Sequence, residues 1–421
     1  MEISHSSGMP IEKQVLVAAV LAMGKGLIEF GSEVKRAEDT MNRIINNSNF
    51  LTADEKDATY VYVTINSIFF RNGGRDVDFT QIIDRDFNLD KVAKLNQLSR
   101  DYADQKVTIQ ELLTEINHVL IEKTPKQFSW LAYSLLSASI TLILNGDAVE
   151  CGLAAIIGLV TSQSYPFFKR YLNNKFLPEF LAAFIGGLMA TVFCTVFKYD
   201  PTLLYTAAII PMVPGIGLTN GVHDTFDDYF ISGPVMILES LTTLISISLG
   251  ITLVQVLPFG LHASGEINVV SVSFIAQIIG SAICSVSFAY IINVSRRLFV
   301  PVSIAGAITW LVYVWVTYLA HSSLLNTLIS VGMLTLISQY FAKRYKAPMT
   351  IFFIPSLVAL VPGITMFVGL SQLGIGQSTL AVTTFVGVIA NLLGLTIGSI
   401  AGDEVYRIFL RLTGRLKGSS N

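Results

Sequence analysis

The chain has 421 residues, of which 52% are hydrophobic and only 14% are charged, and its formal net charge is −2. Soluble proteins carry about a quarter charged residues, so this composition excludes an ordinary soluble globular protein and indicates an integral membrane protein. The three cysteines, Cys151, Cys194 and Cys284, lack the spacing of a metal site or of a disulfide framework. No metal or cofactor is therefore predicted.

Residues 1–127 hold most of the charged side chains, which predicts a small water-soluble α+β domain. The apolar spacing favours one long amphipathic helix from about Ile11 to Asn46 and an alternating strand-like run from Tyr60 to Phe70. Asn72-Gly73-Gly74 is typical of a hairpin turn, and a second strand is expected near Asp76 to Ile83.

Two further helices are predicted before the membrane region begins. The first covers about 88–105, with Asn88 as its N-cap, and the second covers about 108–122. Thr108 and Glu111 have the spacing of a capping box, which favours a helix start at that point.

Apolar runs fill the rest of the chain and predict an all-α polytopic membrane protein with about ten transmembrane helices. The connections on the side of the N-terminal domain carry twelve basic residues, whereas those on the other side carry only Lys198. Because basic residues favour the cytoplasmic side, both termini are predicted to be cytoplasmic. The expected spans are 129–145, 150–167, 177–197, 202–219, 232–257, 270–293, 300–320, 323–341, 348–370 and 379–401.

An internal repeat is found when the membrane region is compared with itself at a shift of 148 residues. The shift places Val213-Pro214-Gly215-Ile216 on Val361-Pro362-Gly363-Ile364. Each copy contains five predicted spans, and because five is odd the copies would have opposite orientations in the bilayer. Two inverted five-helix repeats, 128–260 and 261–421, are typical of secondary transporters.

The two Val-Pro-Gly-Ile elements lie at corresponding places of the repeats. Proline removes a backbone donor and glycine loosens a helix, so both elements would leave backbone groups available to a ligand in the membrane interior. A small zwitterionic amino acid would suit such groups, because half-helix N-termini favour a carboxylate and free carbonyls favour an ammonium group. The alternative is a pair of packing kinks. The predicted substrate-binding residues are Pro214, Gly215, Ile216, Pro362, Gly363 and Ile364.

Acidic residues in and beside the first repeat suggest proton coupling. The predicted connection Asn220–Tyr229 contains His223, Asp224, Asp227 and Asp228, which could attract cations, relay protons or form a gate. Glu239 lies inside an otherwise apolar span, where burial disfavours its charged form and could allow it to exchange a proton. The alternatives are a solvated acidic loop and a structural glutamate.

The segment Gly31–Met41 is dense in charge for one helix, and Glu33, Arg36, Thr40 and Arg43 would share a helical face. The simple interpretation is a ladder of ion pairs on a solvated helix. No nucleophile triad, HExxH or P-loop pattern accompanies it, so neither enzymatic nor ATP-driven chemistry is predicted.

At these residues the chain resembles the threonine/serine exporter family. Three features carry the resemblance: the motif of Gly31, Glu33, Arg36 and Glu38; the first Val-Pro-Gly-Ile element followed by Asp224, Ser232-Gly233 and Glu239; and the second Val-Pro-Gly-Ile element. The resemblance implies secondary, proton-driven export of threonine and serine, or of dicarboxylates as in some two-component relatives. This chain departs from the family by having Asp227-Asp228 where the family tends towards a glycine.

The function predicted from sequence is a proton-coupled antiporter that exports small amino acids across a bacterial cytoplasmic membrane. Its partners would be the zwitterionic substrate, protons and the lipid bilayer, without nucleic acid, and a homo-oligomer is compatible with the sequence. The alternatives are a dicarboxylate exporter, a membrane sensor or scaffold with a partner-binding soluble domain, and a membrane-tethered hydrolase using Glu33, Arg36 and Glu38. Inverted repeats with breaks inside the membrane argue against the last two.

Overall fold

The computed structural model describes residues 10–71, 77–124, 127–261, 273–320 and 322–413. These residues form two compact units. Two short segments of the membrane region belong to the same unit as the N-terminal residues, whereas the predicted domain boundaries after 127 and 260 remain predictions. The first unit takes the described residues of Met1–Pro125, Asn220–Ile237 and Ile292–Ser295; the second takes those of Lys126–Thr219, Leu238–Ile291 and Arg296–Asn421.

The first unit begins with two helices, α1 (Ile11–Glu29) and α2 (Val34–Asn46), so the prediction of a single helix was wrong. The break follows from Gly31, whose φ of +94° is a left-handed conformation that favours glycine. The amide of Ser32 donates to the carbonyl of Leu27 and that of Gly31 to the carbonyl of Ile28, which is the Schellman pattern of a helix end.

Three antiparallel strands follow a short helix, α3 (Ala53–Asp57), and pair in the order β1-β2-β3. The predicted run Tyr60 to Phe70 was wrong as one strand, because it folds back at Thr64 and forms two. The expected turn Asn72-Gly73-Gly74 lies outside the described residues. The strands are β1 (Tyr60–Val63), β2 (Ser67–Arg71) and β3 (Val77–Gln81).

Two helices complete the N-terminal part, α4 (Leu89–Ala103) and α5 (Ile109–Ile121). Their predicted caps are confirmed, since Asn88 accepts a bond from the amide of Lys91 and Thr108 forms a capping box with Glu111. The backbone amides of Leu89 and Asp90 have no partner within α4, because they lie at its start. They donate at 3.0 and 3.1 Å to the carbonyls of Ile292 and Asn293.

Every one of the ten apolar runs contains helix, but the lengths differ. Among the described residues, seven helices are long and apolar enough to cross a membrane, or eight if the bent pair Pro201–Met212 and Gly215–Phe226 is one span. The predicted count of ten is therefore not confirmed. The helices are α6 (Ser129–Ile143), α7 (Ala148–Tyr171), α8 (Leu177–Phe197), α9 (Pro201–Ile209), α10 (Gly215–Phe226), α11 (Ser232–Gln255), α12 (Phe274–Ile291), α13 (Phe299–Ala320), α14 (Ser323–Tyr345), α15 (Thr350–Leu357), α16 (Gly363–Gly374) and α17 (Ser378–Leu412).

The helix bounds correspond at the shift of 148 residues found in the sequence. Helix α10 maps onto α16 residue for residue, and all residues of both α9 and α15 are buried. Close packing recurs as well. A Cβ on Gly158 would overlap Ser137 and one on Gly306 would overlap Ser285, and both the glycines and the serines are 148 residues apart.

Candidate functional site

The two Val-Pro-Gly-Ile elements interrupt two buried helices at corresponding positions. After α9 and a 3-10 turn, Ile210–Met212, the chain bends by 62° at Val213 and Pro214 before α10 begins. After α15, the second break ends at Pro362, which precedes the first residue of α16. Proline lacks the N–H that a continuous helix would use, so the break follows directly from the sequence.

The elements touch each other within the second unit. A Cβ on Gly215 would lie 3.4 Å from Cγ1 of Val361, and a Cβ on Gly363 would overlap Cγ1 of Val213. Each glycine therefore faces the valine of the other element, as expected for repeats related by a two-fold axis. The two breaks therefore contact each other, and their position within the membrane stays a prediction.

A small pocket beside this crossing is lined by apolar groups and one hydroxyl, including Gly215, Ile216, Thr219, Val358 and Val361. Pro362 and Gly363, which follow Val361 in the chain, are buried, whereas Pro214 and Ile364 are half-buried. Because the valines fill the crossing, a hydrophilic ligand requires the elements to separate. The substrate-binding role of the six residues stays a prediction.

The acidic segment and the charged motif, which the sequence presents far apart, belong to the first unit and contact each other. The helix α10 extends to Phe226, so the predicted connection from Asn220 is mostly helical. An oxygen of Glu33 lies 3.7 Å from Nδ1 of His223, and the hydroxyl of Tyr229 donates to Glu38 at 2.9 Å. No spacing in the sequence predicts these pairs.

Asp224 is the most buried acid of this cluster, with 1% of its surface exposed. Its Oδ1 accepts a hydrogen bond from the amide of Val34 at 3.2 Å. Val34 is the first residue of α2, and Glu33, at the N-cap position, makes no capping bond with its side chain. Asp224 therefore caps a helix 190 residues earlier in the chain and opposes the positive end of its dipole.

The environment of Glu33 sets its charge. Burial acts to raise the pKa of Glu33, but the hydrogen bond with His223 and the charges of Arg36 and His223 outweigh burial and lower it. Burial raises the pKa of Glu38, with a smaller contribution from Asp39 and opposed by the bond from Tyr229. Glu33 is therefore held as a carboxylate within a network, consistent with an ionic contact.

The predicted shared face of Glu33, Arg36, Thr40 and Arg43 was wrong, because Glu33 precedes the helix in extended conformation. Arg36 still approaches Glu33 at 3.8 Å. Thr40 and Arg43 instead turn towards α4, where they donate to Asn96 at 3.3 Å and to Ser99 at 3.0 Å. The four side chains therefore do not form one solvated ladder of ion pairs. Glu33 and Arg36 contact each other, while Thr40 and Arg43 contact α4.

Two residues of the candidate set have roles in the backbone. Gly31, besides ending α1, accepts at its carbonyl a hydrogen bond from the side-chain Nδ2 of Asn220 at 3.3 Å. Asp228 follows α10 with a φ of +69° and an exposed side chain. Asp is tolerated in this left-handed region, where glycine is favoured. The predicted proton-coupling role of Asp228 stays a prediction.

Glu239 has a charged partner that the sequence did not reveal. In the second unit its carboxylate forms an ion pair with Lys175, which lies in the connection between α7 and α8. The side chain of Glu239 is 23% exposed and that of Lys175 is 65% exposed. A cation in direct contact with a carboxylate stabilises the charged form, so burial alone does not decide the charge of Glu239. The role of Glu239 in proton coupling stays a prediction.

Comparisons with known proteins place these features in one family. The family model described as putative threonine/serine exporter matches residues 18–257, and a second threonine/serine exporter model matches residues 277–404. The chain belongs to the threonine/serine exporter family. A threonine/serine exporter of Corynebacterium glutamicum is 20% identical over 380 residues, which cover 83% of this chain and 75% of that protein.

No solved structure matches the chain. Members of the threonine/serine exporter family are transporters, so the chain is a multi-pass membrane transporter and not an enzyme. The charged motif around Glu33 is accordingly not the active site of a membrane-tethered hydrolase. Both family matches include one Val-Pro-Gly-Ile element each, at Pro214 and at Pro362.

Proposed function

We propose that the protein exports threonine, serine or similar small amino acids from the cytoplasm, driven by protons and by alternating access. The family match over both halves of the chain carries this proposal. The named substrates of the relative from Corynebacterium glutamicum support the choice of amino acids. Dicarboxylates are the alternative that the test must exclude.

The proposed machinery is a pair of inverted five-helix repeats with the two Val-Pro-Gly-Ile elements at their centre. The matching helix bounds and the reciprocal contacts of Gly215 and Gly363 support this arrangement. When the elements separate, the amides at the starts of α10 and α16 would become available to a substrate carboxylate. The excess of basic residues in one set of connections supports cytoplasmic termini.

In this proposal, the first unit acts as a gate or regulator. Glu33 and Val34 contact α10 at His223 and Asp224, and Glu38 binds Tyr229 just beyond the end of α10. Helix α10 begins directly after the Pro214 break. Movement of α10 during transport would therefore strain or break its contacts with Glu33 and Val34. Coupling of this kind links the state of the pathway to the soluble part of the protein.

Counterflow in proteoliposomes tests the substrate. Vesicles loaded with unlabelled threonine, serine, alanine or succinate would each be offered labelled threonine or labelled succinate. We expect uptake of labelled threonine with the amino acids inside and none with succinate inside. Uptake of labelled succinate alone would assign the protein to dicarboxylate export.

Proton coupling through Glu239 is tested by Glu239→Gln, which mimics the neutral acid. We expect counterflow of threonine to remain, while acceleration of net transport by a pH gradient is lost, because the variant cannot exchange a proton at this position. Glu404→Gln is a matched control, since Glu404 pairs with Arg407 on an exposed face. An unchanged response of Glu239→Gln to the gradient would make the pair with Lys175 structural.

A further inference from the structure

Helix α11 carries a polar side chain whose hydrogen bonding is incomplete. Gln255, at the end of the helix, is 1% exposed. Its Nε2 donates to the hydroxyl of Ser371 at 2.9 Å, but its Oε1 has no hydrogen-bond partner in the described part of the chain. A buried acceptor without a partner costs free energy, so such groups are rare unless they have a function.

The neighbours of Gln255 place it beside α16, the half-helix that follows the second broken element. Ser371 lies in α16, the helix that begins at Gly363, and a Cβ on Gly374 of the same helix would crowd Thr252 of α11. Ser248, two turns before Gln255 and on the same face of α11, is 2% exposed, and its hydroxyl also lacks a partner among the described residues. Incompletely bonded polar groups thus follow one face of α11.

Another glutamine in the second unit shows the ordinary arrangement. Gln277 of α12 donates to Asn145 at 2.9 Å and accepts from the indole nitrogen of Trp310 at 3.3 Å. Both ends of its amide are therefore bonded. Gln277 stabilises packing, whereas Gln255 keeps an acceptor free beside a helix that the proposed transport cycle must move.

We propose that Gln255, with Ser371 opposite it and Ser248 on the same helix face, is a substrate-contact residue that accepts hydrogen bonds from a small amino acid. The inference rests on the proposed function, because it takes amino acids as the transported class. An amide oxygen accepts from an ammonium or a hydroxyl group, both of which threonine and serine carry. The amide oxygen itself offers nothing to an ionised dicarboxylate, which has only acceptors.

Contact with the substrate requires α11 and α16 to separate, since Ser371 and Gly374 pack directly on α11. In the closed arrangement Ser371 binds the donor end of the amide. After separation both ends of Gln255 face the opened space, and the substrate replaces Ser371. The exchange of one hydrogen bond for others keeps the difference between the two states small.

The test measures the threonine concentration for half-maximal counterflow with the full-length protein in proteoliposomes. Gln255→Met keeps the shape and removes the acceptor, and should raise that concentration about tenfold, because one hydrogen bond to substrate is lost. Gln255→Glu keeps an acceptor and should not raise it. Gln277→Met, the matched control, should leave it within about twofold of the parent.

The same measurement with alanine identifies the bound group. An equal rise for alanine and threonine in Gln255→Met assigns the ammonium group, and a rise for threonine alone assigns the hydroxyl group. An unchanged half-maximal concentration in Gln255→Met, or an equal rise in Gln277→Met, overturns the inference while amino-acid export stands. A parent that moves no amino acid overturns the proposed function and this inference with it.

Discussion

The two broken elements have the same backbone but different side chains after the break. In both, the amide of the glycine donates to the valine carbonyl two residues earlier at 2.8 Å, and a left-handed residue follows the half-helix. Yet α10 carries His223 and Asp224 where α16 carries Ser371 and Gln372. The two half-helices therefore share a shape, while their side chains decide what each one binds. The partners are Glu33 and the backbone amide of Val34 for α10, and the neutral side chains of Gln255 and Thr384 for α16.

The contact between the breaks is itself unequal, and alanine substitutions should show it. A Cβ on Gly363 would overlap Val213, whereas one on Gly215 would meet Val361 at 3.4 Å. We expect Gly363→Ala to destabilise the protein by about 1–3 kcal/mol through overpacking, and Gly215→Ala to have a smaller effect. Thermal unfolding of the purified variants measures the difference. Equal losses of stability in the two variants would contradict the unequal contact, because both glycines would then tolerate a Cβ to the same extent.

The pair of Glu33 with His223 of α10 predicts that the stability of the protein depends on pH. The pKa of Glu33 in the folded protein lies below its ordinary value of 4.5, so its contribution to stability is complete above about pH 4.5 and is lost as the pH falls below that value. Glu33→Gln should remove a contribution on the order of 1–3 kcal/mol at neutral pH and flatten this acid dependence.

Melting temperatures between pH 3 and 7 test the prediction for Glu33. Asp227→Asn is the matched control, since Asp227 pairs with Lys35 at 2.7 Å in a more exposed position. An exposed ion pair contributes about 0–1 kcal/mol, so this variant should keep the acid dependence of the parent. A parallel loss in both variants would point to net charge rather than to the bond with His223.

The smallest expected effect concerns the residues that end the two half-helices. Asp228 has a φ of +69° and the corresponding Gly376 a φ of +82°. Asp228→Gly should change stability by less than about 1 kcal/mol and leave transport intact, whereas Gly376→Ala should destabilise by about 1–2 kcal/mol, because Ala disfavours positive φ. Loss of proton-driven transport in Asp228→Gly, measured in the same vesicles, would instead support the predicted role of Asp228 in proton coupling.

Local rules predicted the parts of the fold that depend on near neighbours. The caps at Asn88 and Thr108 and the breaks at Pro214 and Pro362 were evident because each needs only a few adjacent residues. The end of α1 was missed, although Gly31 followed by a polar Ser32 is a typical stop signal. The apolar spacing simply continues across it, and periodicity outweighed the glycine.

The partners in the candidate site could not be predicted from one sequence. Glu33 and His223 are 190 residues apart, and Glu239 and Lys175 are 64 residues apart with three helices between them. Glu33 was identified as a candidate because its segment is dense in charge, and Glu239 because its span is otherwise apolar. Neither signal carries information on the partner, which depends on how helices pack over long separations.

The hydrogen bonds from the start of α4 to Ile292 and Asn293 use backbone atoms on both sides. Replacement of the Ile292 side chain leaves the amides and carbonyls in place, whereas Asn293 is constrained by its φ of +57° and by the bond from its side chain to the carbonyl of Phe87. A relative only 20% identical can therefore retain this contact without sharing Ile292. Chain length is the constrained quantity: an insertion or deletion beside Ile292 would shift the carbonyls away from α4, and natural variation in length should avoid this connection.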